Sequence, residues 1–487
     1  MDTAKIIAAF AEHGPLLIDK RLGRFSTIFE KMPRYVVDFV LSQKVDPSDP
    51  VPGLQEAVLF FKQYYLEPLQ KEFAKRMIRT KGTFPLLGKL SVRYDQKKDT
   101  YLAHVAAIDD KDVRVVPAVL AQYDHILMTS GAWGMAHLAY SSNGSSSPFI
   151  VTKFSPVQVT RIDEVVWNDA RRQFTDDDWM DLLITTVGIN PATLSARQKM
   201  LYICRLLPYV ESGLHLAEVG PTETAKTYSY RELSSYAHVI SGGTSTVASL
   251  FYNKTSKRLG LLGQKDVVCF DEITTPDIKM GADVVNVLKD MMNDGRFSRD
   301  TIEFTTDCSL VFVGNTRPDT METFDSMPMS IRHDRAFIDR ICGFIPGWEM
   351  PRIRPDNYAT SIGLMTDYFA EVMHRLRQTS YLPTVTKYVS LPGWSQRNSR
   401  AVSRIVAGLL KLLHPNAPTD GVAPSAMSIL VETAIGLRSS VVDYLTVLDP
   451  TSFGGTKYEY AIDGIERPKT KVKVRAKVAT NQPSKVL

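Results

Sequence analysis

Three short stretches of the chain read as buried strands, and each ends on residues able to do chemistry: HLAEVG at 215–220, VVCFDE at 267–272 and SLVFVGN at 309–315. The first runs straight into GPTETAKT, residues 220–227. This is almost the phosphate-binding loop G-x-x-x-x-G-K-[ST], with Ala225 where the pattern asks for its second glycine. YSYRELSSYA, which follows, reads as helical, so the loop has the strand–loop–helix setting that such a motif needs. Gly220, Pro221, Thr222, Glu223, Thr224 and Ala225 would form a loop that offers backbone N–H groups and a helix N-terminus to phosphates. Lys226 would reach the β- and γ-phosphates, and Thr227 would hold Mg²⁺. A positive φ at Ala225 would cost roughly 1–2 kcal/mol relative to a relaxed conformation. On these eight residues alone, a working, a degraded and a chance loop all stay open.

The other two stretches narrow the choice. Asp271 stands where a phosphate-loop ATPase holds its Mg²⁺ shell, and Glu272 where it orients or activates the attacking water. Taken singly, the pair is equally a strand ending in a solvated acidic turn. Asn315 would sit beside the γ-phosphate and position the water; Gly314–Asn315 is otherwise ordinary turn chemistry. The order decides. Lys226, Asp271–Glu272 and Asn315 follow one another at intervals of about forty-five residues, which accommodates a βαβ-type unit with an insertion. Together they imply a P-loop α/β core with ATP and Mg²⁺ as cofactors.

Two arginines would complete the site. FIDRICGFIPGW puts Arg340 at the end of a helix, before a strand. A guanidinium there can reach a neighbouring subunit's γ-phosphate and stabilise transition-state charge. A salt bridge to Asp339 or Asp334 is the plainer alternative. SQRNSRAVSRIVAGLLKLLHP starts a helix with Arg397, Arg400 and Arg404 near its beginning. Arg397 is the one expected to contact nucleotide from a lid, against the rule that most such residues are surface charges.

The chain has 487 residues, which predicts two or three domains. Its net charge of +5, with pI near 8.8, permits a nucleic-acid partner without requiring one. Cys204, Cys269, Cys308 and Cys342 are scattered, which argues against a disulfide framework or a zinc site and for a reducing cytosol. The N-terminus, MDTAKIIAAFAEHGPLLIDKRLGRF, reads as a short amphipathic helix and lacks the features of a signal peptide. No run of 18 apolar residues occurs, so no membrane partner is expected.

Residues 1–82 read as a helical region. Residues 83–165 read as β-rich. LSVRYDQKKDTYLAHVAAI has two strands joined by a polar turn, and VRVVPAVL and WGMAHLAY continue the pattern. This suits a small barrel or sandwich, an OB-like one among them. Residues 166–210 read as a helical connector, in which T-D-D-D at 175–178 caps the apolar run WMDLLITTVG. The ATPase core is expected at 211–350, a helical lid at 351–463 and a basic flexible tail at 464–487.

Beyond these motifs the chain resembles AAA+ ATPases, and closely resembles the BrxL family, the Lon-like AAA+ proteins of BREX bacteriophage-defence systems. RRQFTDDDWMDLLITTVG, ISGGTSTVASLFYN, DVVCFDE, LVFVGN, FIDRICGFIPGWEMPRIRP and GLLKLLHP look like the family's blocks in the family's order. The resemblance implies an ATP-driven, MCM-like ring with nucleotide between subunits, so that Arg340 acts in trans. It also implies that the β-rich domain and a central channel engage double-stranded DNA. Lys254, Lys257 and Arg258 in YNKTSKRLGLLGQKD, and Arg296 and Arg299 in DGRFSRDTIEFTTD, would then lie on inserted hairpins and follow a phosphate backbone. Otherwise they are ordinary exposed charges. The sequence departs from the family at Ala225, which bears on turnover more than on binding. The similarity ends at SFGGTKYEYAID, where Lon-like members continue into a protease-like domain, so no peptidase activity is expected and Ser484–Lys485 is not a catalytic pair.

The expectation is therefore a DNA-binding AAA+ ATPase of a bacterial BREX-type system, cytoplasmic and nucleoid-associated, self-associating as a hexamer or a stacked pair of hexamers. Other BREX proteins would be further partners. Two alternatives stand beside it. One is a Lon-like protein unfoldase, for which Phe251–Tyr252 would be the threading loop. The other is a DNA-binding scaffold that uses ATP only to assemble.

Overall fold

Five strands close a barrel: β1 (Thr83–Asp95), β2 (Thr100–Val105), β3 (Asp110–Val115), β4 (Ala132–Tyr140) and β5 (Phe149–Pro156), in the order β1-β2-β3-β5-β4. In β4, Ala132, Ala136 and Leu138 are buried while Trp133, Met135 and His137 are partly open, the period-2 pattern of a strand with one face on a core. This is a computed structural model that describes residues 2–11, 16–46, 49–96, 98–129, 131–141, 147–157, 162–242, 246–254, 258–274, 280–299, 302–317, 321–456 and 458–463. The basic tail lies outside the described residues. PAVL is not strand, as its apolar run suggests, but the start of a helix, Pro117–Leu127. Proline suits the first helical position because its missing N–H has no partner there anyway. Val119, Ile126 and Leu127 of that helix complete the barrel core.

The second sheet is wholly parallel. β6 (Leu216–Gly220), β7 (Ala237–Ser241), β8 (Val267–Asp271), β9 (Ser309–Asn315) and β10 (Gly343–Pro346) run in the order β10-β6-β9-β8-β7. Val267, Cys269, Val311, Val313 and Ile345 share a core with helices Ala196–Val210 and Gln396–Leu413. Val268, Phe270, Leu310, Phe312 and Phe344 share another with helix Ala282–Asp294. A sheet buried on both faces needs near-continuous apolar strands, which is why these runs do not alternate. The chain is thus a multidomain α/β protein with a P-loop core of AAA+ type. Helix Tyr228–Arg231 is far shorter than YSYRELSSYA suggests. The Ser234 hydroxyl accepts from the Tyr236 N–H (3.1 Å), and such local bonding competes with helix.

The N-terminal segment is tied to the far end of the chain. After helix Thr3–Phe10, Leu17–Asp19 pairs antiparallel with Ile362–Leu364, so the opening 25 residues are not one helix. Lys20 Nζ and Thr366 Oγ1 both bond the buried Asp38 carboxylate, at 2.7 and 2.6 Å. Helix Pro424–Leu448 is the one helix among the described residues long and apolar enough to cross a membrane, and 61% of its most apolar window is buried. Its Arg438 is fully buried and donates to Asn398 Oδ1, Asp339 Oδ1 and the Ile341 carbonyl. It is a core helix.

Where the barrel meets the parallel sheet, Lys89, Lys265 and His238 come together. Burial first, then the like charge of Lys89, pushes Lys265 down to about 7. The folded protein then binds fewer protons here than the unfolded chain, so this group adds stability as pH rises from about 7 toward 10.5. Lys265→Met is expected to raise stability at pH 7 by on the order of 1 kcal/mol and to flatten that rise. Thermal midpoints across that pH range check both.

Candidate nucleotide site

The loop leaves the C-terminal end of β6, the second strand from one edge of the sheet. Glu223 and Ala225 both adopt left-handed backbone, with φ of 64° and 60°. Ala225 therefore carries the strain that glycine would avoid. Ala225→Gly is expected to stabilise the nucleotide-free protein by about 0.5–1 kcal/mol, the strain relieved less the added chain entropy. A thermal midpoint that falls instead would contradict it.

Lys226 is 5% exposed and curls back into the loop. Its ammonium donates to the carbonyls of Gly220 (3.0 Å) and Pro221 and to Thr224 Oγ1 (3.4 Å). Burial is the main reason its pKa falls to about 8. A buried cation bonded by neutral oxygens is short of negative charge, which is what a phosphate supplies. Thr227 Oγ1 donates to Asp271 Oδ2 at 2.9 Å, and Ser241 Oγ lies 3.4 Å from the same oxygen. Hard oxygens of this kind suit Mg²⁺. The residues present therefore fit both ATP and Mg²⁺.

Glu272 follows Asp271 with φ of 57°, its N–H donating to Asp271 Oδ1 at 2.9 Å. Asn315 ends β9 beside Gly220 of β6. The Thr274 hydroxyl bridges to it twice, accepting from the Asn315 N–H and donating to its carbonyl, both at 2.9 Å. Asn315, Thr274, Arg317 and Glu322 line a cavity of about 510 Å³ on this side. Lys226, Thr227, Asp271, Glu272 and Asn315 thus gather at the C-terminal edge of the sheet.

Arg340 and Arg397 do not join them. Arg340 precedes β10, at the N-terminal edge, roughly 15 Å from the loop along the five residues of the neighbouring β6. Arg397 pairs with Asp339 and lies close to Arg340. Both line a cavity of about 340 Å³ with Arg400 and Arg404. Arg340 donates to the Ala336 carbonyl, its Nε is buried without a hydrogen bond among the described residues, and burial, then Arg397, lowers its pKa. Asp339 is taken by Arg397 and Arg438, so Arg340 does not form the ion pair with it.

Lys254 lies between the short strands Tyr252–Asn253 and Arg258–Leu259, which pair as a hairpin. Arg296 and Arg299 lie on a second hairpin, Arg296–Arg299 with Ile302–Thr305. An aromatic seam joins the two: Phe251 with Phe297 (4.9 Å) and Tyr252 with Phe304 (4.8 Å). Lys257 and the side chains of Arg258 and Arg299 lie outside the described residues.

Sequence reasoning overlooked Ser241 and Thr274, single hydroxyls that only the sheet brings to the site. It also overlooked Arg205 and Glu218, which sit beneath the loop. A carboxylate inside the strand LAEVG was a usable signal, because a buried charge needs a partner.

The family model for the Lon-like protease BrxL-like ATPase domain matches residues 149–459, and that for the BREX system Lon protease-like protein BrxL N-terminal region matches residues 13–140. The Lon-like protease BrxL of Escherichia coli O9:H4 (strain HS) is 35% identical over 442 residues, 88% of this chain and 63% of that protein. That of Bacillus cereus (strain H3081.97) is 30% identical over 88% of this chain and 65% of that protein. The chain so spans less than two-thirds of the length of these curated relatives. A full-length MCM homolog from Methanopyrus kandleri aligns with a TM-score of 0.43 at 11% identity, over 90% of this chain and 94% of that one. With the ATPase-domain model alone covering more than half of it, the chain belongs to the BrxL family.

Proposed function

We propose that the chain is a DNA-binding AAA+ ATPase of a BREX-type defence system, working as a ring with ATP held between subunits. One observation carries this reading. The phosphate-loop residues and the arginine cluster lie at opposite ends of neighbouring strands, so an arginine serving this loop would come from a second copy of the chain. Lys226 and the loop N–H groups would bind the phosphates; Thr227 and Asp271 would hold Mg²⁺. Bound there, the metal would neutralise charge on the phosphates. Glu272 would take the proton of the attacking water, with Asn315 orienting that water. Arg340, aided by Arg397, would reach the neighbour's nucleotide. Lys254, Arg258, Arg296 and Arg299 would follow a DNA backbone. The unfoldase alternative is weakened by Phe251, which is fully buried and packed edge-to-face against Phe297, where it cannot grip a threaded chain.

The test is ATP turnover of the purified protein with and without double-stranded DNA, beside Lys226→Ala. We expect DNA-stimulated turnover that disappears in the variant. We also expect DNA binding that weakens steeply with salt, because phosphate contacts release counterions. Turnover that persists in Lys226→Ala contradicts the site. DNA binding without any turnover favours the scaffold alternative.

A further inference from the structure

We infer that Arg205 and Glu218 are a positioning pair that holds the phosphate loop in its receptive shape; the inference rests on the phosphate-loop reading. Arg205 belongs to the Ala196–Val210 helix, outside every nucleotide motif. It and Glu218 of β6 are both fully buried. The guanidinium donates to Glu218 twice, Nε to Oε2 at 3.0 Å and Nη2 to Oε1 at 2.5 Å. Its remaining arm, Nη1, donates to the Thr224 carbonyl at 2.9 Å. Burial opposes the Arg205 charge, and Glu218 overrides it and raises the pKa.

A buried ion pair gives little stability that apolar residues of the same volume would not give. Its value here lies in the third hydrogen bond. Thr224 sits between the two left-handed residues, Glu223 and Ala225. The Glu223 carbonyl is held by the Ile353 N–H at 2.7 Å. A loop offers N–H groups to an anion only while its carbonyls point away. Arg205 and Ile353 each anchor one of those carbonyls within the protein. With Ala225 in place of glycine the receptive shape is strained, and the Arg205 grip offsets that strain. Glu218 acts through Arg205, fixing its fork so that one arm reaches Thr224.

The test is Arg205→Met with Glu218→Met, since removing Arg205 alone would strand a buried carboxylate. Binding is read by titrating a fluorescent ADP analogue, and folding by the thermal midpoint without nucleotide. We expect a folded protein whose affinity for the analogue falls about tenfold or more. KM for ATP should rise while kcat changes less, and adding Ala225→Gly should recover part of the affinity. A folded variant that binds within about twofold of wild type overturns the inference. If the double variant does not fold, Glu218→Gln decides: it keeps the volume and one acceptor but loosens the fork. Weaker binding than wild type is then expected, and unchanged binding overturns the inference. Wild type and Lys226→Ala serve as controls. Equal binding by these two overturns the phosphate-loop reading itself, whereas strong wild-type binding that Lys226→Ala loses, with an unaffected double variant, overturns only the role of Arg205 and Glu218.

Discussion

Arg340→Ala is expected to lower ATP turnover about a thousandfold while nucleotide affinity stays within about threefold of wild type. The magnitude is that of a cation that meets charge only as it develops in the transition state. The sparing of affinity follows from geometry. In its own chain Arg340 lies at the edge of the sheet opposite Lys226, so its loss removes nothing from the loop that grips phosphate. Mixing gives a sharper result. Arg340→Ala subunits keep their loops, and Lys226→Ala subunits keep their arginines. Combined, the two inactive proteins should regain a fraction of the wild-type rate, because some interfaces join one good loop to one good Arg340. A mixture as inactive as its components would rule out action in trans. Arg397→Ala is expected to do less, since part of that side chain's work is the ion pair with Asp339.

Glu272→Gln should reduce turnover about a hundredfold or more and leave ATP binding intact. The amide keeps the shape and the hydrogen-bonding reach but cannot accept the proton of the attacking water. The backbone argues for the same residue. Glu272 is held at φ 57°, a conformation unfavourable for a side chain with a Cβ, by the Asp271 carboxylate on its own N–H and by the Ile273 N–H on the Val313 carbonyl (2.9 Å). Strain of this kind persists where the surroundings over-determine it, often at functional sites. Turnover at the wild-type rate in the amide variant would remove Glu272 from the mechanism. A joint loss of binding and turnover would make it a structural residue.

What the sequence revealed and what it hid divide along one physical line. Strand ends were legible, because a buried strand that stops at Asp271–Glu272 or Gly314–Asn315 changes polarity within one residue. Helix starts were legible for the same local reason. The Thr175 hydroxyl accepts from the Asp178 N–H (3.2 Å), as its T-D-D-D context implies. The barrel helix at Pro117 was hidden, since PAVL is as apolar as the strands around it and only the proline marks the turn to helix. The partners of each site residue were hidden altogether. That Arg397 pairs with Asp339, and that Arg205 reaches a carbonyl 19 residues away, depends on how distant elements dock.

The aromatic seam between the two hairpins has a mechanical meaning. Each hairpin alone is a two-stranded ribbon, marginal in water and free to flex at its root. Tyr252 on Phe304 and Phe251 on Phe297 brace one against the other, much as a cross-member turns two loose struts into a truss. Their roots lie at different places, one following β7 and the other preceding β9. Movement at either root must therefore tilt both, and the positive charges of Lys254 and Arg296 travel as one load instead of two.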